Sequence, residues 1–379
     1  MIILDYNATT PVHPDVIEAM APYFHEHWGN PSSKHGLGKK AFQAVEIARS
    51  QVAELIGAKP REIIFTSGGT EATNLALFGS VQGPCPILGF WGWRGILSTV
   101  IEHPATMESL IQNKRKGIGF RLARVLTNGQ VDLEHLRRLM IWRPRLLSLI
   151  HAHNETGTVQ PVSKAVSIAR EFGALVHTDA SQSIGKLPVN VDDLGVDLLT
   201  IAGHKLYAPK GIGALYVRNG TTIQRQLCGA GQENGFRGGT ENVPYIVGLG
   251  KVDRLVELST KHSIARLRDE LWQLLSQGLG PNIRKFTHET ECLPNTLFVA
   301  LRKLDSASLL ASIPELAAST GSACHDGNRM GSAVLRAMGV PEEWLGGTIR
   351  LTLCSKTSSE EIQTASRWII EKAKIMMKS

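Results

Sequence analysis

The chain has 379 residues, 42% hydrophobic and 20% charged, with 41 Lys+Arg against 34 Asp+Glu and a formal net charge of +7. That length allows two domains, or one large domain with a satellite, and a sizeable core; the modest positive charge admits an anionic ligand, but no basic run or aromatic-basic stripe points to nucleic acid. No run of about 18 uncharged apolar residues is present to span a membrane, and five cysteines with no CxxC spacing argue against a disulfide framework or structural zinc and for a reducing compartment.

The first residues, MIILDYNATTPVHPDV, lack the layout of a signal peptide and of an Arg/Ser-rich transit segment. The expectation is a cytoplasmic protein, or one of a mitochondrion or other organelle if a transit peptide has been removed. A helical period covers 35–56, with Ala41, Val45, Ala48, Val52 and Leu55 on one face. EIIFT (62–66) reads as a strand leading into SGGTEATN, which opens another helix. PCPILGFWGWRGILS (84–98) places aromatics and glycines where a plain helix-to-strand connection is expected, and it carries no recognisable chemistry. LLSLI (146–150), ALVHTD (174–179) and DLLTIA (197–202) read as buried parallel strands, with a helical PVSKAVSIAREFG between the first two. A helical stretch over 242–277 follows. NTLFVAL, a Gly/Ser loop at 319–332, TIRLTLC and a closing helix then form a smaller mixed unit. The reading is an α/β protein: a large domain over 13–250, its mostly parallel sheet covered by helices, and a small α+β domain made of 1–12 and 251–379.

Ligands of open α/β sheets bind outside the carboxyl ends of the strands, and three features fall there. Asp179 ends ALVHTD, Lys205 follows DLLTIA in AGHKLYAPKG, and Ser67–Thr70 sit between strand and helix, where free N–H groups make an anion site. Singly, each has a plain alternative: a helix cap, a solvated charge, a turn. Together a lysine, a carboxylate and an anion cradle on one rim meet the needs of pyridoxal phosphate. The cradle is not a nucleotide P-loop, because no Lys-Ser/Thr follows its glycines.

LDYNATTPVHPDV, GNPSSKHGLG, FTSGGTEATNLAL, EHPAT, NETGTVQPV, HTDASQSIGKLPV, GHKLYAPKGIGALYV, RGGTENVP and GSAC occur in this order. In these motifs, almost end to end, the chain resembles the cysteine desulfurases and the related selenocysteine lyases, pyridoxal-phosphate enzymes of the class V aminotransferase group. The resemblance implies the fold type I architecture of pyridoxal-phosphate transferases and a homodimer. It implies that Lys205 meets the cofactor aldehyde and later moves protons, that Asp179 holds the ring nitrogen protonated, and that Gln182 and Asn154 contact the phenolate side. It places His103 on the ring face, and Gly69, Thr70, Gly203 and His204 around the phosphate with Thr240 from the partner subunit. Arg350 becomes the clamp for the substrate carboxylate, with Asn30 and His35 near the substrate. No metal is implied.

Cys324, in the small-residue run STGSACHDGNRMGS, is implied to attack the substrate sulfur and carry it as a persulfide, with His325 beside it. The expected reaction converts L-cysteine to L-alanine and hands the sulfur to an acceptor, such as an iron–sulfur cluster assembly or other scaffold protein. Two departures from the family wording stand out: Ala202 replaces the serine common before GHK, and His153 replaces the usual asparagine. Three alternatives stay open: a selenocysteine lyase, a non-catalytic paralogue acting as an interaction protein, and an aminotransferase of the same fold that has no use for the loop cysteine.

Overall fold

The structure, a computed structural model, describes residues 1–82, 95–252, 261–289, 291–321 and 331–378. Its strands in chain order are β1 (Ile2–Ile3), β2 (Ile63–Thr66), β3 (Ile96–Thr99), β4 (Phe120–Ala123), β5 (Leu146–Ile150), β6 (Leu175–Asp179), β7 (Leu198–Ala202), β8 (Gly213–Val217), β9 (Ile283–Lys285), β10 (Thr296–Leu301), β11 (Leu316–Ala317) and β12 (Thr348–Thr352). Runs such as LLSLI and LLTIA are buried along their whole length, as strands covered on both faces must be.

The main sheet has seven strands in the order β2-β8-β7-β6-β5-β3-β4. Its pairings are parallel except those of β8 with β7 and β2. The pleat sends alternate residues to opposite faces. Leu147, Leu149, Val176, Leu199 and Ile201 pack with Ala41, Val45 and Val52 of helix Gly36–Leu55. Leu146, Leu198 and Leu215 pack with Ala72, Leu75 and Ala76 of helix Gly69–Gln82. This is the mostly parallel, helix-covered α/β sheet the sequence leads one to expect. β8 is the addition: after Lys205 the chain returns directly beside β7, a connection too short for a parallel crossover, so the strand must be antiparallel.

A second, antiparallel sheet has the order β12-β10-β9. Its core of Leu297, Val299, Ile349 and Leu351 is covered by Leu271 and Leu275 of helix Lys261–Leu279 and Ile362 and Ile369 of helix Ser359–Met376. β1 pairs with β11, and Leu4 joins this core. The chain then crosses to the main sheet: the Asn7 N–H donates to Thr352 Oγ1 (3.1 Å), and the Thr10 N–H to the His204 carbonyl (2.9 Å). The unusual 84–98 segment ends in β3, and its residues 84–94 lie outside the described residues.

Candidate functional site

The carboxyl ends of the parallel strands form one rim of the main sheet. Asp179 is the last residue of β6, opposite Ile150 of β5 and Thr200 of β7. It is buried, and its Oδ1 accepts the Ser181 N–H at 2.9 Å. The turn after it carries Gln182. β7 ends at Ala202, and a single tight turn, Gly203–Lys205, presents Lys205. Gly203 has no room for a side chain: a Cβ there would come within 2.9 Å of the Ile212 carbonyl oxygen.

These groups converge on Asn7, which is fully buried. Its carbonyl oxygen accepts Lys205 Nζ at 3.2 Å and Gln182 Nε2 at 3.0 Å. Its Oδ1 accepts Lys186 Nζ at 3.1 Å, and its Nδ2 donates to Thr296 Oγ1 of β10 at 2.9 Å. Arg350 of β12 approaches from the other sheet, donating to the Asn154 carbonyl (3.0 Å), Asp5 Oδ1 (2.8 Å) and Ser319 Oγ (3.1 Å). Its Nε is buried and lacks a partner among the described residues. A buried guanidinium N–H without an acceptor is uncommon, and it suits an anionic ligand.

Burial pushes the Lys205 amine down to about 8, aided by Arg350 and opposed by Asp179 and Asp5. Near neutrality a useful fraction is therefore the nucleophilic free amine. His204 is pushed to about 4 by burial and by the Lys205 and Lys210 charges, so its imidazole is neutral; its Nδ1 lies 3.2 Å from Thr9 Oγ1. His103 lies close enough to His204 and His153 to lower the basicity of both, and its Nδ1 caps helix Pro104–Arg115 by accepting the Ala105 N–H at 3.1 Å. The neighbouring Glu102 is buried, its Oε1 accepting Thr99 Oγ1 (2.6 Å) and the Ile150 N–H (3.1 Å). Burial, with Asp179 adding to it, raises this carboxyl to about 8.

The two departures have local accounts. His153 is buried; its Nδ1 accepts the N–H groups of Glu155 and Thr156, both at 3.2 Å, and it also bonds to the Ile101 backbone. It holds the turn that places Asn154, and burial keeps it neutral. Ala202 packs on the start of helix Gly69–Gln82: a Cβ added to Gly69 would lie 3.0 Å from Ala202 Cβ.

Thr70 is exposed at that helix start. Glu71 Oε2 accepts the Ser67 N–H (2.8 Å), and its Oε1 accepts Arg237 Nε (2.9 Å), tying the glycine-rich loop before Thr240 to this turn. A second anchor is buried: Arg49 and Glu233 pair through two bonds of 2.7 and 2.8 Å, and Glu233 Oε2 also accepts the Phe65 N–H. Thr240 itself is exposed, as are Asn30 and His35. Asn30 Oδ1 accepts the Ser32 N–H and His35 Nδ1 the Gly38 N–H; among the described residues no hydrogen bond joins any of the three to the Lys205 cluster. Of the residues named from the sequence, the structure brings Lys205, Asp179, Gln182, Asn154, His204 and Arg350 together. The sequence reading passed over Asp5, Asn7, Lys186, Glu102 and Glu155, although all five stand inside motifs it singled out.

Cys324 and His325 lie outside the described residues. The chain on either side is tied to the site. Ser319 bonds Arg350 and Asp5, and Ser332 Oγ donates to Glu155 Oε2 at 3.1 Å. Burial raises the Glu155 carboxyl to about 7.

The family model described as Aminotransferase class-V matches residues 2–364. A cysteine desulfurase from a Nostoc species is 42% identical over 367 residues, covering 96% of this chain and 90% of that protein. A cysteine desulfurase IscS from Dictyoglomus turgidum is 40% identical over 366 residues, covering 95% and 91%. Among solved structures, a NifS-like protein matches with a TM-score of 0.89 and 35% identity, covering 100% of both chains. SspA in complex with cysteine matches with a TM-score of 0.81 and 30% identity, over 93% of this chain and 99% of that one.

Proposed function

The chain belongs to the class-V aminotransferase family, and from that premise we propose that it is a pyridoxal-phosphate-dependent cysteine desulfurase. It converts L-cysteine to L-alanine and takes the sulfur onto Cys324 for delivery to an acceptor such as an iron–sulfur cluster assembly protein. The observation that carries this reading is the convergence of Lys205, Gln182 and Lys186 on Asn7, with Asp179 at the adjacent strand end and the buried Arg350 facing them. The donor set suits the cofactor: an amine whose pKa burial lowers to about 8, a buried carboxylate, an amide, and a helix start with no side chain at Gly69.

When bound, pyridoxal phosphate supplies an aldehyde for amines and a ring that draws electrons from the substrate Cα. Lys205 would hold the aldehyde end of the cofactor and, as a neutral amine, could take and return the Cα proton. Asp179 would hold the ring nitrogen protonated. Gln182 and Asn154 serve the phenolate side, His103 the ring face, and Gly69, Thr70, Gly203 and His204 the phosphate. Arg350 binds the substrate carboxylate, with Asn30 and His35 alongside. The Cys324 thiolate attacks the substrate sulfur: an S–S bond forms, the Cβ–S bond breaks, and its electron pair takes a proton, leaving alanine and a persulfide. Ser319, bonded to Arg350, precedes Cys324 by five residues in the sequence.

Residues 13–250 form the cofactor domain, and 1–12 with 251–379 the small domain. The working unit is a homodimer, in which Thr240 crosses to the partner's phosphate. In support, Ile17, Phe24 and Phe42 on the N-terminal helices and Trp28 in the connection between two of them are exposed, and such apolar surface favours a partner. Among the described residues no helix is long and apolar enough to cross a membrane; the reading places the enzyme in the cytoplasm. Alanine release from L-cysteine and L-selenocysteine, assayed side by side with added pyridoxal phosphate, tests the reaction. Turnover of cysteine is expected. Activity confined to selenocysteine, or a keto acid in place of alanine, overturns it.

A further inference from the structure

Lys186 has no step in the reaction above, yet its amine sits against two of the groups that shape the site. Nζ donates to Gln182 Oε1 at 2.8 Å and to Asn7 Oδ1 at 3.1 Å. No carboxylate forms an ion pair with it among the described residues. Burial, with the Lys205 and Arg350 charges, pushes its pKa well below the usual lysine value. A buried lysine held without a counter-ion is costly unless its donors are used, and here both partners are side-chain amide oxygens.

That partner choice has a directional consequence. A primary amide carries an acceptor on one side and two N–H donors on the other, and either end fits the same space. Lys186 Nζ donates to the oxygen end of both amides, and in its charged state, which has no lone pair, it can take no other end. Lys186 therefore turns Gln182 so that Nε2 faces away from it, and Nε2 is found 3.0 Å from the Asn7 carbonyl, the oxygen that also accepts Lys205 Nζ. One Gln182 N–H is spent on Asn7, and the other remains for a ligand beside Lys205. Asn7 is set in the same way. Its Oδ1 takes Lys186 and Asn295 Nδ2 (3.1 Å), which commits Nδ2 to Thr296 and to the Asn154 carbonyl (3.4 Å).

We propose that Lys186 is the positioning residue that fixes the amides of Gln182 and Asn7, so that Gln182 presents an N–H donor, and never its oxygen, to the acceptor oxygen of the ligand held at Lys205. The inference rests on the reading that this ligand is pyridoxal phosphate with its phenolate toward Gln182. The charged and titratable groups facing Lys205 are Asp179, Asp5, Arg350, Lys186 and His204. None of the hydrogen bonds given above for Arg350, Asp5 and Asp179 runs to Lys186.

The test uses Lys186→Met, which keeps the length and removes the donors, with Lys186→Leu as the second variant should the first not fold. Two readouts separate positioning from a merely structural role. In apoprotein carrying 15N-labelled glutamine, the Gln182 side-chain N–H pair, assigned through Gln182→Asn, is expected to be dispersed and slow to exchange in the native protein. In the variant it is expected to collapse toward solvent-like values. In cofactor-loaded protein, the pH midpoint of the visible absorption band is expected to rise by about one unit, because a donor beside the phenolate and a nearby cation are lost together. An unchanged Gln182 N–H pair and an unchanged midpoint in a folded variant would overturn the proposal. If the native protein takes up no pyridoxal phosphate, the functional reading fails, and the apoprotein signals still decide whether Lys186 orients Gln182.

Discussion

Glu102 offers a quantitative check on the electrostatics of the rim. Its carboxyl is buried beside Asp179, with Oε1 accepting two bonds and Oε2 lacking a partner among the described residues. Burial first, and Asp179 second, raise its pKa from 4.5 to about 8. The unfolded chain loses this proton near pH 4.5 while the folded chain keeps it until about 8, so the folded state binds more protons in between. The stability this group contributes is fully present below pH 4.5 and is lost as pH rises toward 8, at about 1.4 kcal/mol per pH unit. Glu102→Gln retains the acceptor for Thr99 and Ile150 and cannot ionise. At pH 5 the variant should lie within about 1 kcal/mol of the native protein, since an amide stands where a neutral acid stood. By pH 8 it should have gained about 4 kcal/mol relative to native. Urea unfolding of both apoproteins at half-unit steps from pH 5 to 8 measures this, and other titrating groups cancel in the difference. A difference that stays flat with pH would refute the claim that Glu102 is held neutral.

The remaining predictions concern the clamp, the loop anchor and the lysine. Arg350→Met should lower kcat/KM for L-cysteine by about 30- to 1000-fold, mostly through KM, as expected for a lost charge-assisted pair of about 2–4 kcal/mol; steady-state kinetics decide, and an unchanged KM would contradict the assignment. Glu233→Ala removes both bonds of the buried carboxylate to Arg49 and leaves, among the described residues, only the half-exposed Glu46 as its carboxylate partner; it should destabilise the fold by about 2–4 kcal/mol, seen as a lowered Tm. Because the Lys205 amine is held down at about 8, cofactor uptake by the apoprotein should rise as pH climbs through 8. Uptake that rises only above pH 10 would show an unperturbed lysine.

Much of the rim is readable in the sequence because motif and element coincide there. Asp179 and Lys205 follow short buried strands directly, so naming the strand ends also places the residues. Asn7 is different. It lies 198 positions from Lys205 and 289 from Thr296, and only the crossing of its segment between the two sheets makes it a hub. Arg49 shows the same limit in reverse. It stands on a helix whose apolar face the sequence shows, and it is buried because a distant loop delivers Glu233. His153 is visible in the sequence as a departure, but its purpose, capping the turn before Thr156, depends on backbone N–H directions that residue order does not state. The antiparallel β8 escaped for a related reason: GALYV is as apolar as its parallel neighbours, and direction is set by the short connection before it.

The central claim is that the sulfur of L-cysteine passes to Cys324. The most direct measurement is to incubate the cofactor-loaded enzyme with L-cysteine, trap thiols and persulfides with an alkylating reagent, and map the products by peptide mass spectrometry. One added sulfur atom on the peptide bearing Cys324, formed together with alanine and absent in Cys324→Ser and Lys205→Ala, is the predicted result. Alanine released at full rate with no added sulfur at Cys324, or with the sulfur on Cys228, would contradict it.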